Sequence, residues 1–170
     1  MKKIAITGPE STGKSAITEL LAKFFYCPML PEYARAYLEK LDRAYNFDDI
    51  TEIAKAQAQM EDKINNAAPF LFCDTDMLVC KIWQEYKYGT CDPWLENAFQ
   101  TRHYDLFLLC NIDLAWEYDH LREHPDNRKE LFDLYETALI KANKPYVIIS
   151  GIGDIRLKLA VTEINRFCKI

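Results

Sequence analysis

Residues 8–15, Gly8-Pro9-Glu10-Ser11-Thr12-Gly13-Lys14-Ser15, satisfy G-x-x-x-x-G-K-[ST], and no other stretch restricts the fold as strongly. Ile4-Ala5-Ile6 leads into the motif as a short apolar run. Beyond Ser15, Ile17, Leu20, Leu21, Phe24 and Phe25 recur at helical spacing. Strand, glycine-containing loop and helix in that order are the setting in which the motif binds phosphate. Gly8 and Gly13 permit the tight turn and the close backbone approach. The N–H groups of Glu10, Ser11, Thr12 and the helix start at Ala16 then face the anionic oxygens. Lys14 is expected to reach the β and γ phosphates, and the Ser15 hydroxyl to join the shell of a Mg2+ that otherwise keeps its waters.

The rest of the chain alternates between strand and helix patterns. Met29 to Tyr33 reads as a second strand, followed by a helix carrying Ala34, Tyr37, Leu38 and Leu41. Asn46 to Asn65 reads as a long helix with Asp48 or Thr51 near its start, closed by Pro69. Phe70-Leu71-Phe72-Cys73 is a third strand ending in Asp74-Thr75-Asp76, which belongs at the carboxyl edge of the sheet. A helix from Met77 to Tyr88 and a turn at Gly89-Thr90-Cys91-Asp92-Pro93 precede a strand over 105–110. Asp119 to Asn127 is polar and loop-like, Arg128 to Ala142 is helical, and 145–149 is a fifth strand. Strands that read as continuous apolar runs between helices imply a parallel sheet covered on both faces. The expected architecture is α/β, a three-layer P-loop NTPase fold with a mostly parallel five-stranded sheet and a lid, with residues 1–170 forming one domain.

Composition removes several alternatives. The net charge of −5 disfavours a broad basic face for duplex nucleic acid or anionic lipid. The six cysteines include no C-x-x-C pair, and Cys73 and Cys110 lie in apolar runs, as free thiols in a reduced cytoplasmic protein do. No run approaches the ~18 apolar residues of a membrane span, and the apolar start is too short for a signal peptide. The expected partners are therefore a nucleotide and a small-molecule acceptor. Oligomeric state is not legible.

Asn143-Lys144-Pro145-Tyr146 lacks the Asp of a guanine-reading N-K-x-D and precedes its strand, so it reads as a turn, and ATP is preferred. Asp74-Thr75-Asp76 offers one carboxylate for a metal and another for a substrate hydroxyl, where a hydrolytic ATPase commonly has Asp-Glu. Transfer to an acceptor is favoured over hydrolysis. The bland alternative for either Asp is a helix cap, more so for Asp76. Arg122 and Arg128 flank a polar stretch suited to a lid that neutralises charge and excludes water, with Arg122 the first choice and Arg102 ahead of the strand. His120 and His124 are four apart, but Pro125 follows and no third ligand is near, so they read as lid surface. Glu32 and Arg35 sit at the carboxyl end of the second strand, where ligands gather, and are candidates for holding acceptor hydroxyls. Trp116 is a candidate stacking platform, whereas Trp83 reads as core.

Taken together these residues resemble the ribosylnicotinamide kinase domain of NadR-type NAD-biosynthesis proteins and its stand-alone AAA-like P-loop relatives. The resemblance runs through G-P-E-S-T-G-K-S at 8–15, P-E-Y-A-R at 31–35, D-T-D at 74–76, Y-D-L-F-L-L at 104–109, Trp116 to Arg122, and Ser150-Gly151 with Arg156 after it. It implies transfer of the γ phosphate of ATP to the 5′ hydroxyl of nicotinamide riboside. Lys14 and Ser15 would hold phosphate and Mg2+, Asp74 would serve the metal or act as base, and Arg122 with Arg128 would form the lid. Where the family commonly shows Asp-Pro before the lid and Pro-Trp and Asp-Gly within it, this chain has Asn111-Ile112, Ala115-Trp116 and Asp119-His120. Two other readings stay open, a kinase for another nucleoside or coenzyme precursor and a nucleotide-gated ATPase acting on a protein partner. Asp74, Asp76 and Glu32 all remain candidates for the base. Because residue 1 lies two residues before the first strand, coupling to later NAD synthesis or to DNA is expected to need another polypeptide.

Overall fold

The computed structural model describes residues 1–64 and 67–169. Five strands, β1 (Lys2–Thr7), β2 (Met29–Leu30), β3 (Phe70–Asp74), β4 (Leu106–Cys110) and β5 (Tyr146–Ile149), pair in the order β2-β3-β1-β4-β5. Every pairing is parallel, with Ile6 level with Asp74 on one side and with Leu108 on the other. Parallel strands need crossovers, supplied by α1 (Lys14–Phe25), α2 (Tyr33–Leu38), α3 (Phe47–Lys63), α4 (Met77–Tyr88), α5 (Pro93–Thr101) and α6 (Arg128–Lys141), and α7 (Asp154–Cys168) follows the last strand.

Side-chain alternation along each strand divides the core between the two faces of the sheet. Ile4, Ile6, Phe70, Phe72, Leu106 and Leu108 pack with Ile17 and Leu21 of α1 and Ala160 and Ile164 of α7. Ala5, Leu71, Cys73, Phe107 and Leu109 point the other way, into α3, α4, α5 and α6. With helices on both sides, neither face needs polar residues, which is why the strands read as unbroken apolar runs. The cysteines are free thiols, and Cys73, Cys80 and Cys110 are buried. Among the described residues, no helix is long and apolar enough to cross a membrane.

Several boundaries differ from the sequence expectation for identifiable reasons. β2 stops at Leu30 because Pro31 has no N–H to continue the ladder, and α2 then begins at Tyr33. α3 begins at Phe47, one residue after the expected start, because Asn46 caps it: Asn46 Oδ1 accepts from the Asp49 N–H while Asp49 Oδ2 accepts from the Asn46 N–H. The expected end of that helix at Asn65 lies outside the described residues. The turn after Gly89 is followed by the unexpected helix α5, whose signature is present in the sequence: Asp92 caps the Trp94 N–H at 2.8 Å, and Pro93 occupies the first helical position. α7 was also not anticipated, although Ala160 and Ile164 place it as the outer cover of the sheet.

Candidate active site

The chain leaves β1 at the middle of the sheet and enters the phosphate-binding loop at the carboxyl edge, the place where open α/β sheets form their crevice. Gly8 takes φ 127°, and a Cβ there would meet the Cys110 carbonyl oxygen at 3.0 Å. Gly13 takes φ 74°, and a Cβ would lie 2.8 Å from Leu114. Thr12 Oγ1 donates to the Pro9 carbonyl at 2.7 Å, and Lys14 Nζ reaches back to the carbonyls of Gly8 and Pro9 at 3.0 and 2.8 Å. Gly13 brings no side chain to the free N–H groups that open α1, and no acidic residue lies in its first turn. The start of α1 thus presents positive partial charge to the cleft.

Behind the loop stands a residue whose role sequence analysis did not identify. Arg156, buried in α7, donates through Nη2 to the Thr12 carbonyl at 2.7 Å and through Nη1 to Asp113 Oδ1 at 2.9 Å. It ties the phosphate-binding loop to the segment leaving β4. Nothing in helical periodicity announces this, because its partners lie far away along the chain.

The acidic end of β3 divides into two environments. Asp74 hydrogen-bonds the Ser15 hydroxyl, and its Oδ1 is buried without a partner. Burial pushes its carboxyl up from the usual range, against the Ser15 hydrogen bond and the Lys14 charge. Thr75 then takes φ 70°, and the chain turns Asp76 away from the cleft. Asp76 caps α4, accepting from the Val79 N–H and from Thr7 Oγ1, both at 3.2 Å. This corrects the placement of Asp76 beside the substrate: it is a buried helix cap, pushed up to about 7 by burial.

Glu32 and Arg35 line a cleft of about 710 Å3 together with the loop from Gly8 to Ala16. Burial raises the Glu32 carboxyl; Lys14 opposes that shift, Asp74 adds to it, and Arg35 and Arg122 oppose it further. Charges from α2, β3, the phosphate-binding loop and the lid therefore converge on one carboxylate. Trp83, expected in the core, is half-buried and lines the cleft beside Tyr86 and Tyr135, with its indole N–H on Tyr45 Oη at 2.9 Å. Its position reflects how α4 crosses the carboxyl edge.

Residues 111–127 form the lid, folded down on the loop. Trp116 Nε1 donates to Glu10 Oε1 at 3.2 Å, and the N–H groups of Glu123 and His124 donate to Glu10 at 3.0 and 2.7 Å. Ser11 Oγ accepts from the Glu117 N–H at 2.9 Å and from Arg122 Nη1 at 3.3 Å. Arg122 lines the cleft. Arg128 instead braces the lid base, donating to the carbonyls of Ser11 and Leu114 at 3.1 and 3.0 Å. Trp116 packs edge-on to Tyr118, its indole committed to Glu10. Arg102 pairs with Asp62 and Glu61, among residues that also bind Lys3 at the start of β1, remote from the cleft. Among the described residues no cluster of three or more His, Cys, Asp or Glu forms a metal cage.

Comparison with known proteins accords with this geometry. NadR of Escherichia coli (strain K12), a trifunctional NAD biosynthesis/regulator protein, is 29% identical over 154 residues, covering 86% of this chain and 38% of its own length. The chain thus spans well under half of that relative. A crystal structure of NadR in complex with NR superimposes with a TM-score of 0.84 at 22% identity, over 99% of this chain and 51% of that one. Deoxyadenosine kinase from M. mycoides shares the fold over 96% of this chain and 98% of its own, with a TM-score of 0.66 at 17% identity. A family model described as an AAA domain matches residues 3–156. Since that match runs from β1 to the Arg156 brace and takes in the loop, β3 and the lid between them, the chain belongs to the AAA domain family.

Proposed function

We propose that residues 1–170 form one phosphotransferase domain that moves the γ phosphate of ATP to a nucleoside hydroxyl, with nicotinamide riboside as the first candidate acceptor. The observation that carries this reading is that Glu32 shares one cleft with Lys14, with Lys14, Asp74 and Arg122 close enough to act on it. A hydrolase needs only a water-positioning group beside the phosphate. A cleft of about 710 Å3 with a carboxylate, Arg35 and an aromatic wall beyond the loop has room for a second substrate. The likeness to a NadR structure that contains NR supports the choice of acceptor.

In this reading the N–H groups of 8–16 and Lys14 bind the triphosphate, and Arg122 neutralises charge that spreads over the transferring oxygens. Glu32, kept basic enough by burial to accept a proton, takes it from the attacking hydroxyl. The Ser15 hydroxyl and Asp74, whose buried Oδ1 lacks a partner, are hard oxygen donors that fit Mg2+. An ion held by Ser15 and Asp74 would supply positive charge to offset that of the phosphate oxygens. The lid, pinned by Glu10 and Ser11, keeps water from competing with the acceptor.

The test is ADP release from MgATP with a panel of nucleosides, followed by identification of the product. Stimulation by nicotinamide riboside with formation of its mononucleotide is expected. Stimulation by a different nucleoside would keep the kinase and replace the acceptor, and turnover that responds only to an added protein would overturn the reading.

A further inference from the structure

Glu10 stands in the phosphate-binding loop, where a carboxylate works against the loop's purpose, since its negative charge faces the place a polyanion must occupy. Among the described residues no Lys, Arg or His forms an ion pair with it. Its partners are instead the Trp116 indole N–H and the backbone N–H groups of Glu123 and His124, all from the lid. These attachments fall on both sides of Arg122, so one carboxylate clasps the lid on each flank of the arginine that faces Glu32. Arg122 itself is held only from within the lid and by one loop hydroxyl: Nη1 donates to the Glu117 carbonyl and to Ser11 Oγ at 3.3 Å, and its backbone N–H donates to the Asp119 carbonyl at 3.0 Å.

We propose that Glu10 is a positioning residue that sets Arg122 over the transfer site by clasping the lid, and that it links nucleotide occupancy to lid closure. This rests on the phosphotransferase reading above. The physical reason is a difference between two states. With the lid down, three N–H donors satisfy the carboxylate and offset its charge. With the lid raised, Glu10 is uncovered beside the phosphates, and like-charge repulsion disfavours nucleotide there. Bound triphosphate therefore favours the closed lid without touching it, because closure shields Glu10. Phosphate leaving the loop removes that preference and frees the lid to open.

Gln at position 10 keeps the length of the side chain but replaces one acceptor oxygen with a donor NH2, which cannot accept from the Glu123 and His124 N–H groups together. It also removes the charge that repels nucleotide. The expected outcome for Glu10→Gln is kcat lowered about tenfold or more with KM for MgATP unchanged or lower, a split that a nucleotide-contacting role does not produce. Amide hydrogen exchange at Glu123 and His124 should rise by about tenfold in the same variant, in the absence of acceptor. Trp116 emission should shift to the red as its indole is released. Glu10→Asp, which keeps the charge and both oxygens, should recover part of kcat and of amide protection. A KM for MgATP that rises in step with the loss of kcat would overturn the proposal by placing Glu10 on the nucleotide, and so would an unchanged kcat or unchanged exchange at those amides. If the wild-type chain transfers phosphate to no nucleoside, the phosphotransferase reading fails, and the exchange data then report separately whether Glu10 holds the lid.

Discussion

Arg35 Nη2 lies 2.7 Å from Asp119 Oδ2, an ion pair that joins α2, beside the acceptor wall, to the middle of the lid. Asp119 also accepts from the Leu121 N–H at 3.0 Å, and these two partners hold its carboxyl at about 2. The lid is thereby attached on both sides of the cleft, to the phosphate-binding loop through Glu10 and to the acceptor side through Arg35.

Because Arg35 is 45% exposed, this pair contributes modestly, about 0.2–1 kcal/mol. Arg35→Ala or Asp119→Asn should raise KM for the acceptor about 2–5-fold and leave KM for MgATP unchanged, with less effect at high salt. The depressed carboxyl keeps the pair charged above the ordinary aspartate range, so its contribution fades only as pH falls from about 4 through about 2. Steady-state kinetics of both single variants and the double variant, at two ionic strengths, check this.

Lys14 makes its protein contacts with the Gly8 and Pro9 carbonyls at the rim of the cleft. Lys14→Ala should therefore abolish phosphate transfer while shifting the melting temperature by less than about 4 °C, the scale of 1 kcal/mol in a domain of this size. Activity retained in this variant would end the assignment of the loop to phosphate.

Glu32 and Asp74 both have carboxyls raised by burial, yet they occupy different positions. Glu32→Gln should lower kcat by about 100-fold or more and remove the acid limb of the pH–rate profile, because the base must lose its proton before it can accept another. Asp74→Asn should retain the acid limb and instead raise the Mg2+ concentration needed for half-maximal rate. An unchanged acid limb in Glu32→Gln would transfer the base role to another residue.

Asp76 is fully buried beneath α4, and its Oδ2 has no hydrogen-bond partner. Its carboxyl is raised to about 7 in the fold, whereas in the unfolded chain it titrates near ~4. The folded state therefore keeps a proton that the unfolded state releases. Stability is greatest below about pH 4 and falls as pH rises toward about 7, by up to about 1.4 kcal/mol per pH unit from this group. Asp76→Asn keeps an acceptor for the Val79 N–H and should flatten that slope and raise the melting temperature at pH 8. Urea unfolding of wild type and variant across this range measures the difference, which cancels the parallel contributions of Asp74 and Glu32.

Local hydrogen-bonding rules were enough to make much of this chain legible. The loop at 8–15 lies between β1 and α1, α4 runs from Met77 to Tyr88 as its periodicity indicates, and β3, β4 and β5 coincide with their apolar runs to within a residue. Each of these depends on residues adjacent in sequence, or on burial that any covered parallel strand requires. α5 was also encoded locally, in Asp92-Pro93, and was missed because the same dipeptide opens turns.

Direction and partnership, by contrast, come from the folded arrangement. Two aspartates separated by one residue look equivalent in sequence, but the left-handed turn at Thr75 sends Asp74 to Ser15 and Asp76 under a helix. Glu10, expected among the nucleotide-binding residues, takes its partners from positions 106 to 114 residues away, and Arg156 reaches 144 residues back to Thr12. Sequence determined the phosphate-binding loop and the layered sheet because their signals are short-range patterns of turn, charge and apolar period. The lid's clasp and the division of labour among the acidic groups depend on which side chains the closed chain brings within hydrogen-bond reach, and no local pattern carries that information.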